Sequence, residues 1–278
     1  MKSKNDTSTT VISGVLKLAL LKILQTTSIL PLGIRYLITD IFFIVAFFCS
    51  NSKRNAVKKN LRLILKRVPT YLEILNVFRD YGRYWAELAD INNFCDKYKI
   101  DMVGPDLPVA NERFLGVTFH IGNFEAFGRM LHSITSSNFT VIAEHLRPNF
   151  VFEFFRSIRL KHFIETVPHD DPREILNALK KGGGLGVLID RVVGGTGIET
   201  RLFGKRVMMP LNLVEYAVKN KIPIYVAYCI KKDGKLVFYS SKIDSSKYSF
   251  EQIVLRITST IEEAVGRYPF QWHVLSAL

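Results

Sequence analysis

The chain predicts an α/β fold: a mostly parallel mixed sheet flanked by helices, with an apolar and basic helical region ahead of it. Three observations carry this. From about residue 113, short apolar runs alternate with amphipathic stretches, the texture of strand–helix units. The run LVFYS follows the turn KKDGK closely enough to pair antiparallel with the strand before it. Residues 11–49 are strongly apolar but interrupted by Lys17, Lys22, Pro31, Arg35 and Asp40, and a strongly basic segment follows them.

The 278 residues suffice for a large core in one or two domains. The composition change divides them into an N-terminal helical region, 1–100, and an α/β core, 101–278. With 48% hydrophobic and 23% charged residues, neither a disordered chain nor a polytopic membrane protein is expected. Three cysteines, Cys49, Cys95 and Cys229, lack metal-like spacing; they argue for a reducing compartment and against a disulfide framework or a structural zinc.

The N-terminal elements come first. The net charge is +13, and residues 1–100 hold 16 Lys/Arg against 7 Asp/Glu. Such a surplus points to an anionic partner, nucleic acid or phospholipid. No nucleic-acid-binding signature accompanies it, so a phospholipid surface is expected and nucleic acid is not. The longest clean apolar stretch, IFFIVAFFCS, has ten residues, about half a bilayer span. Interrupting lysines and the lack of a small-residue cleavage site argue against a signal peptide. The expectation is a helix lying in the membrane interface, with a tilted spanning helix over Ile34–Cys49 as the alternative. In KRNAVKKNLRLILKRV, Val57, Leu61, Ile64, Leu65 and Val68 share one helical face, while Arg54, Lys58, Arg62 and Lys66 run along another. A basic amphipathic helix of this kind gains about 1 kcal/mol per basic residue near anionic headgroups. Residues 70–100 read as helical.

In the core, strands are expected at Phe114–Phe119, Phe139–Glu144, Phe163–Val167, Leu185–Ile189, Ile224–Ile230 and Leu236–Ser240. Helices are expected near Asn123–Ile134, Asn149–Lys161, Pro172–Lys181, Leu211–Asn220 and Phe250–Arg267. There is no G-x-S-x-G elbow and no phosphate loop. The glycines of KKGGGLGVLID precede a strand, whereas a dinucleotide fingerprint follows one.

The chemistry concentrates in HIGNFE, His120 to Glu125, where an apolar run turns into a helix. Strand ends are where α/β folds expose reactive groups. Because His120 precedes the helix proper, Glu125 is able to return to it, and the pair reads as a base held by a carboxylate. Six histidines and 25 acidic residues predict about half a chance match to this spacing. The second match, HDDPRE, has a structural explanation: Asp171 as N-cap, Pro172 in the first helical position and Glu174 in an acidic first turn.

HIGNFE closely resembles the HxGNWE-type signature of the bacterial lipid A biosynthesis acyltransferases and the related phosphatidylinositol mannoside acyltransferases. Other blocks resemble the same family in the same order: NAVKKNLRLILKRVP, AEHLRPNFVFEFFRSIR, LIDRVVGGTGIETRLFGKRVMMP and RYPFQWH. The chain departs from the lipid A pattern at Arg191, Val192 and Phe270, which bears on the acceptor rather than on the histidine.

The resemblance implies O-acyl transfer from an acyl thioester, on acyl carrier protein or coenzyme A, to a hydroxyl of a membrane glycolipid. It needs no cofactor and no metal. His120 would be the base and Glu125 its orienting partner; Glu199 would replace or supplement Glu125. Asn123 would cap the following helix or contact substrate. Arg147, Arg191, Lys205 and Arg206 would hold phosphates, and Asp190, at the same sheet edge as His120, would order its loop. The expected location is the cytoplasmic face of the plasma (inner) membrane, peripheral or monotopic. Alternatives are a glycerol-phosphate or lysophospholipid acyltransferase, or a non-catalytic lipid-binding protein of the same fold.

Overall fold

The computed structural model describes residues 18, 19, 22, 23 and 25–278, apart from 105, 111, 136–138 and 195–196. Lys17 and part of the apolar stretch before residue 25 lie outside the described residues. After the helical residues described between 18 and 26 come α1 (Leu32–Cys49), α2 (Asn51–Leu65), α3 (Tyr71–Leu88) and α4 (Ile91–Lys97). Then follow β1 (Lys99–Val103), β2 (Phe114–Thr118), α5 (Phe124–Thr135), β3 (Phe139–Ala143), α6 (Asn149–Leu160), β4 (Ile164–Pro168), α7 (Pro172–Lys180) and β5 (Gly184–Leu188). The chain continues with β6 (Ile198–Leu202), β7 (Lys205–Met209), α8 (Asn212–Lys219), β8 (Ile224–Lys232), β9 (Lys235–Ile243) and α9 (Phe250–Arg267).

Seven strands form one mixed sheet in the order β1-β9-β8-β2-β5-β3-β4. Only β8 and β9 pair antiparallel; Asp233 and Gly234, both at positive φ, make their tight turn. The central strand β2 lies between β8 and β5, so its carboxyl end opens onto the middle of the sheet edge. Helix starts follow local chemistry. Thr70 and Glu73 form a capping box for α3, Ser249 and Gln252 one for α9, and Asp171 caps α7 through the Arg173 and Glu174 amides.

Two features differ from the sequence reading. The end of the expected helical region 70–100 is the edge strand β1, exposed along its length and so without an apolar period. Residues 198–209, unassigned from sequence, form the separate hairpin β6–β7. Its register puts Glu199 opposite Met208 and Arg201 opposite Arg206.

Helix α1 is long and apolar enough to cross a membrane by length and composition, yet one of its faces packs on α3. The charges that interrupt the apolar run are buried there in ion pairs: Arg35 with Asp90 at 2.7 Å, and Asp40 with Arg79 at 2.6 Å and Arg83 at 2.9 Å. Its opposite face exposes Ile34, Leu37, Ile41, Phe42, Val45 and Phe48. On α2, Val57 and Leu61 are buried inside the protein against α1 and α3 rather than turned to a membrane; the helix ends at Leu65 and Val68 is exposed beyond it. Buried Asn60 ties α2 to the C-terminal segment through the carbonyls of Val274 (3.2 Å) and Ser276 (2.8 Å).

Candidate active site

The site begins with strand register. β2 and β5 run parallel with Thr118 beside Leu188, and the Ile189 amide bonds the Thr118 carbonyl at 3.0 Å. Two residues further along each strand stand His120 and Asp190. The Asp190 Oδ1 lies 2.7 Å from the His120 Nδ1, and its Oδ2 accepts the His120 backbone N–H at 2.9 Å. Oδ2 also accepts the Trp272 indole N–H at 2.8 Å. Asp190 is therefore fully enclosed, while the His120 side chain keeps 23% of its surface exposed. Burial by itself opposes ionisation of Asp190, but the attraction of the His120 ring, its two hydrogen bonds and the indole N–H outweigh that. They hold the carboxyl below its ordinary range.

The rest of HIGNFE fixes the loop. Gly122 has φ of +54°, and a Cβ there would stand 2.1 Å from the Cys229 carbonyl oxygen, so only glycine fits. The Gly122 and Asn123 amides donate to the carbonyls of Gln271 (2.8 Å) and Cys229 (3.0 Å), and the His273 amide donates to the His120 carbonyl at 2.7 Å. Asn123 is buried, and its Oδ1 caps α5 by accepting the Ala126 amide at 2.9 Å. Of its two expected roles, capping is the one seen.

The expected pairing of His120 with Glu125 is corrected. Glu125 begins α5 facing α6, where it takes the buried Arg159 guanidinium at 2.6 Å and 2.9 Å. From the first helical turn it is Phe124, not Glu125, that meets the ring, edge-on with centroids 5.5 Å apart. Glu199 does not hold the ring either: it is exposed on β6 and lines a cavity of about 400 Å³ together with Asp190, Arg191, Arg206, Met208 and Val274. Asp190, expected to order the loop, does so and also takes the ring.

The expected cations are divided. Arg191 lines the cavity and pairs with Glu144 at 2.6 Å, and Arg206 lines it without an ion pair among the described residues. Lys205 binds the Leu278 carbonyl. Arg147 is exposed, does not line the cavity, and lies 3.9 Å from Asp170. His145 bonds Asp170 at 2.9 Å and Asn149 at 2.9 Å. Among the described residues, no cluster of three His, Cys, Asp or Glu is placed to hold a metal.

Five residues of the site's support were not singled out from sequence as chemistry: Asp80, Glu87, Lys231, Trp272 and His273. Half-buried Lys231 pairs with Glu87 at 2.7 Å and Asp80 at 3.2 Å, and Asp80 takes the His273 Nε2 at 2.9 Å. Burial opposes the charge on Asp80, but the Lys231 ammonium and then His273 overcome it and hold the carboxyl at about 2. One signal was available. Asp80 and Glu87 are seven apart, on one face of a helix whose neighbouring positions Val77 and Tyr84 are buried.

With Asp190 ionised, the His120 Nδ1 carries a proton and donates it, which leaves a lone pair on Nε2. Nε2 has no protein partner among the described residues. The imidazole is so held at the carboxyl end of a central parallel strand, next to Asp190 on the cavity wall. The chain belongs to the bacterial lipid A biosynthesis acyltransferase family, whose model matches residues 2–278. It is also similar to the phosphatidylinositol mannoside acyltransferase of Mycobacterium tuberculosis (strain ATCC 25618 / H37Rv), with 25% identity over 248 residues, 82% of this chain and 78% of the relative. The protein of that name from the CDC 1551 / Oshkosh strain matches over the same shares with the same identity. The protein is thus an acyltransferase of this family.

Proposed function

We propose that the protein transfers a fatty acyl group from a thioester of acyl carrier protein or coenzyme A to a hydroxyl of a membrane glycolipid, with His120 as general base. The observation that carries this is the 2.7 Å contact between the His120 Nδ1 and Asp190, which leaves Nε2 without a protein partner among the described residues. A sugar hydroxyl is a poor nucleophile until its proton is accepted during attack, and such base catalysis gives about 10²–10⁴ in rate. The C–O bond forms, the thioester C–S bond breaks, and the hydroxyl proton rests on Nε2 until the thiolate or solvent takes it. Asp190 stabilises the imidazolium meanwhile. The departing thiolate has a pKa near 8.5, so it leaves without a strong acid. Holding both substrates beside one base suffices without an acyl-enzyme.

Arg191 and Arg206 line the cavity with Lys205 beside it; we assign them to phosphates of the acceptor or donor, since guanidinium matches phosphate geometry. Glu199, on the same cavity, is placed to accept a hydrogen bond from an acceptor hydroxyl. The mannose-bearing acceptor is carried over from the names of the mycobacterial relatives. The outward apolar face of α1 enters the interface of the cytoplasmic leaflet, and the basic side of α2 meets anionic headgroups.

The test is purified protein on anionic vesicles with palmitoyl-coenzyme A or palmitoyl-acyl carrier protein. Phosphatidylinositol mannosides, a lipid A-type glucosamine disaccharide and lysophosphatidate are offered as separate acceptors. Thiol release together with a new glycolipid ester by mass spectrometry is expected, and both vanish in His120→Ala. Transfer only to lysophosphatidate would overturn the acceptor class. Full turnover in His120→Ala would overturn the base. Vesicle binding that survives Leu37→Asp/Ile41→Asp/Val45→Asp would overturn the membrane face.

A further inference from the structure

A buried charged network that takes no part in the proton transfer lies beneath the His120 loop. Glu87 has no exposed surface and accepts three bonds. The Tyr36 hydroxyl and the Lys231 ammonium reach Oε1, each at 2.7 Å, and the Asn123 amide reaches Oε2 at 2.8 Å. Lys231 continues to Asp80, Asp80 to the His273 ring, and the His273 backbone N–H to the His120 carbonyl. The Gln271 side chain brackets the Lys231 backbone, accepting its N–H at 3.0 Å and donating to its carbonyl at 2.8 Å.

One network thus grips the loop at both ends, at His120 through His273 and at Asn123 through Glu87. One of the three donors to Glu87, Tyr36, belongs to α1, the helix whose outward face is apolar. Buried ion pairs add little net stability, because desolvation offsets their attraction. Their strength is geometric: a satisfied network admits one arrangement of the groups it joins.

We propose that Glu87 is a positioning residue for the His120 loop, and that the docked N-terminal helix acts on it through Tyr36. Withdrawing the Tyr36 hydroxyl leaves Oε1 with Lys231 alone, which is also claimed by Asp80. The Asn123 anchor then loosens, and the Nε2 drifts from its working position. Through Tyr36, the seating of α1 on α3 bears on turnover. This rests on the reading of His120 as the base.

The test compares Tyr36→Phe, Glu87→Gln and the double variant in the full-length protein on anionic vesicles. The donor is palmitoyl-coenzyme A and the acceptor phosphatidylinositol mannosides. Tyr36→Phe is expected to lower kcat about ten-fold, because small displacements of a catalytic group cost up to about a hundred-fold. The KM for palmitoyl-coenzyme A stays within about two-fold, the pattern of a lost transition-state interaction. Glu87→Gln falls further, and the double variant falls no further than Glu87→Gln alone, because Tyr36 acts through Glu87. Hydrogen exchange of the amides in Ile121–Phe124 quickens in Tyr36→Phe, a readout that needs no acceptor. Ile253→Val, in a buried position of α9, supplies a control with a lowered melting temperature and unchanged kcat.

If Glu87→Gln fails to fold, Tyr36→Phe alone carries the test. A Tyr36→Phe protein with parental kcat and loop exchange overturns the proposal. If His120→Ala is inactive in the same assay, that failure leaves the base reading standing. Turnover in His120→Ala instead overturns the base reading itself.

Discussion

Asp190→Asn is the sharpest test of the site, because it changes one atom and leaves the shape. Oδ2 of Asp190 already meets two N–H donors, the His120 backbone at 2.9 Å and the Trp272 indole at 2.8 Å. The asparagine oxygen must take that place, which turns its NH2 toward the His120 Nδ1, 2.7 Å away in the parent. An NH2 donates, so Nδ1 must accept, and the ring proton moves to Nε2. Nε2 then has no lone pair with which to take the hydroxyl proton. The same inversion of tautomer in serine-protease triads costs about 10⁴ in kcat, equivalent to about 5 kcal/mol of barrier. Thiol release from palmitoyl-coenzyme A at saturating acceptor measures it, with a melting curve in parallel. Because both bonds at Oδ2 survive, the melting temperature should stay close to the parent's while kcat collapses. Asp190→Asn retaining more than about a tenth of parental kcat would refute the assignment of Asp190 as the ring's partner.

Further outcomes follow from the same geometry. Arg159→Met leaves the buried Glu125 carboxylate unpaired and should destabilise by about 3–5 kcal/mol in urea unfolding. The double variant Glu125→Leu/Arg159→Met should recover most of that, with kcat per folded molecule retained, since Glu125 does not touch the ring. Gly122→Ala places a methyl against the Cys229 carbonyl at positive φ; a loss of more than about 2 kcal/mol is expected, read as a lowered denaturation midpoint. Asp80, held at about 2 against an ordinary 3.8, stabilises the fold above that ordinary value. Its contribution of roughly 2 kcal/mol is lost as pH falls through the window down to about 2. Acid-unfolding curves of Asp80→Asn should therefore show a flattened limb between those values, and an unchanged limb would contradict the buried pairing with Lys231.

Much of the architecture was already written in local pattern. The apolar run FLGVTF gave β2, the Asp171–Pro172 step gave the start of α7, and the long period of residues 250–267 gave α9 with its observed ends. These elements answer to hydrogen bonds and burial within a few residues, which a single sequence carries. The edge strand β1 escaped because it is exposed along its length, and the hairpin β6–β7 because each strand has only five residues, most of them not buried. The sequence also singled out HIGNFE, as a histidine where an apolar strand turns into a helix.

Local pattern thus yielded the fold class, most of the elements and the candidate histidine. The tertiary structure alone decided what that histidine touches. Glu125, five residues away, was drawn off by Arg159, a buried guanidinium whose charge needed an answer. Asp190, seventy residues downstream, arrived beside the ring because β2 and β5 align Thr118 with Leu188. Likewise Arg35 and Asp40, which look like breaks in an apolar span, find partners on α3 and the turn after it. Spacing along a chain fixes the direction of a side chain within its own element, but which charges meet depends on how separate elements register and pack, and that is set only when the sheet and its helices close together.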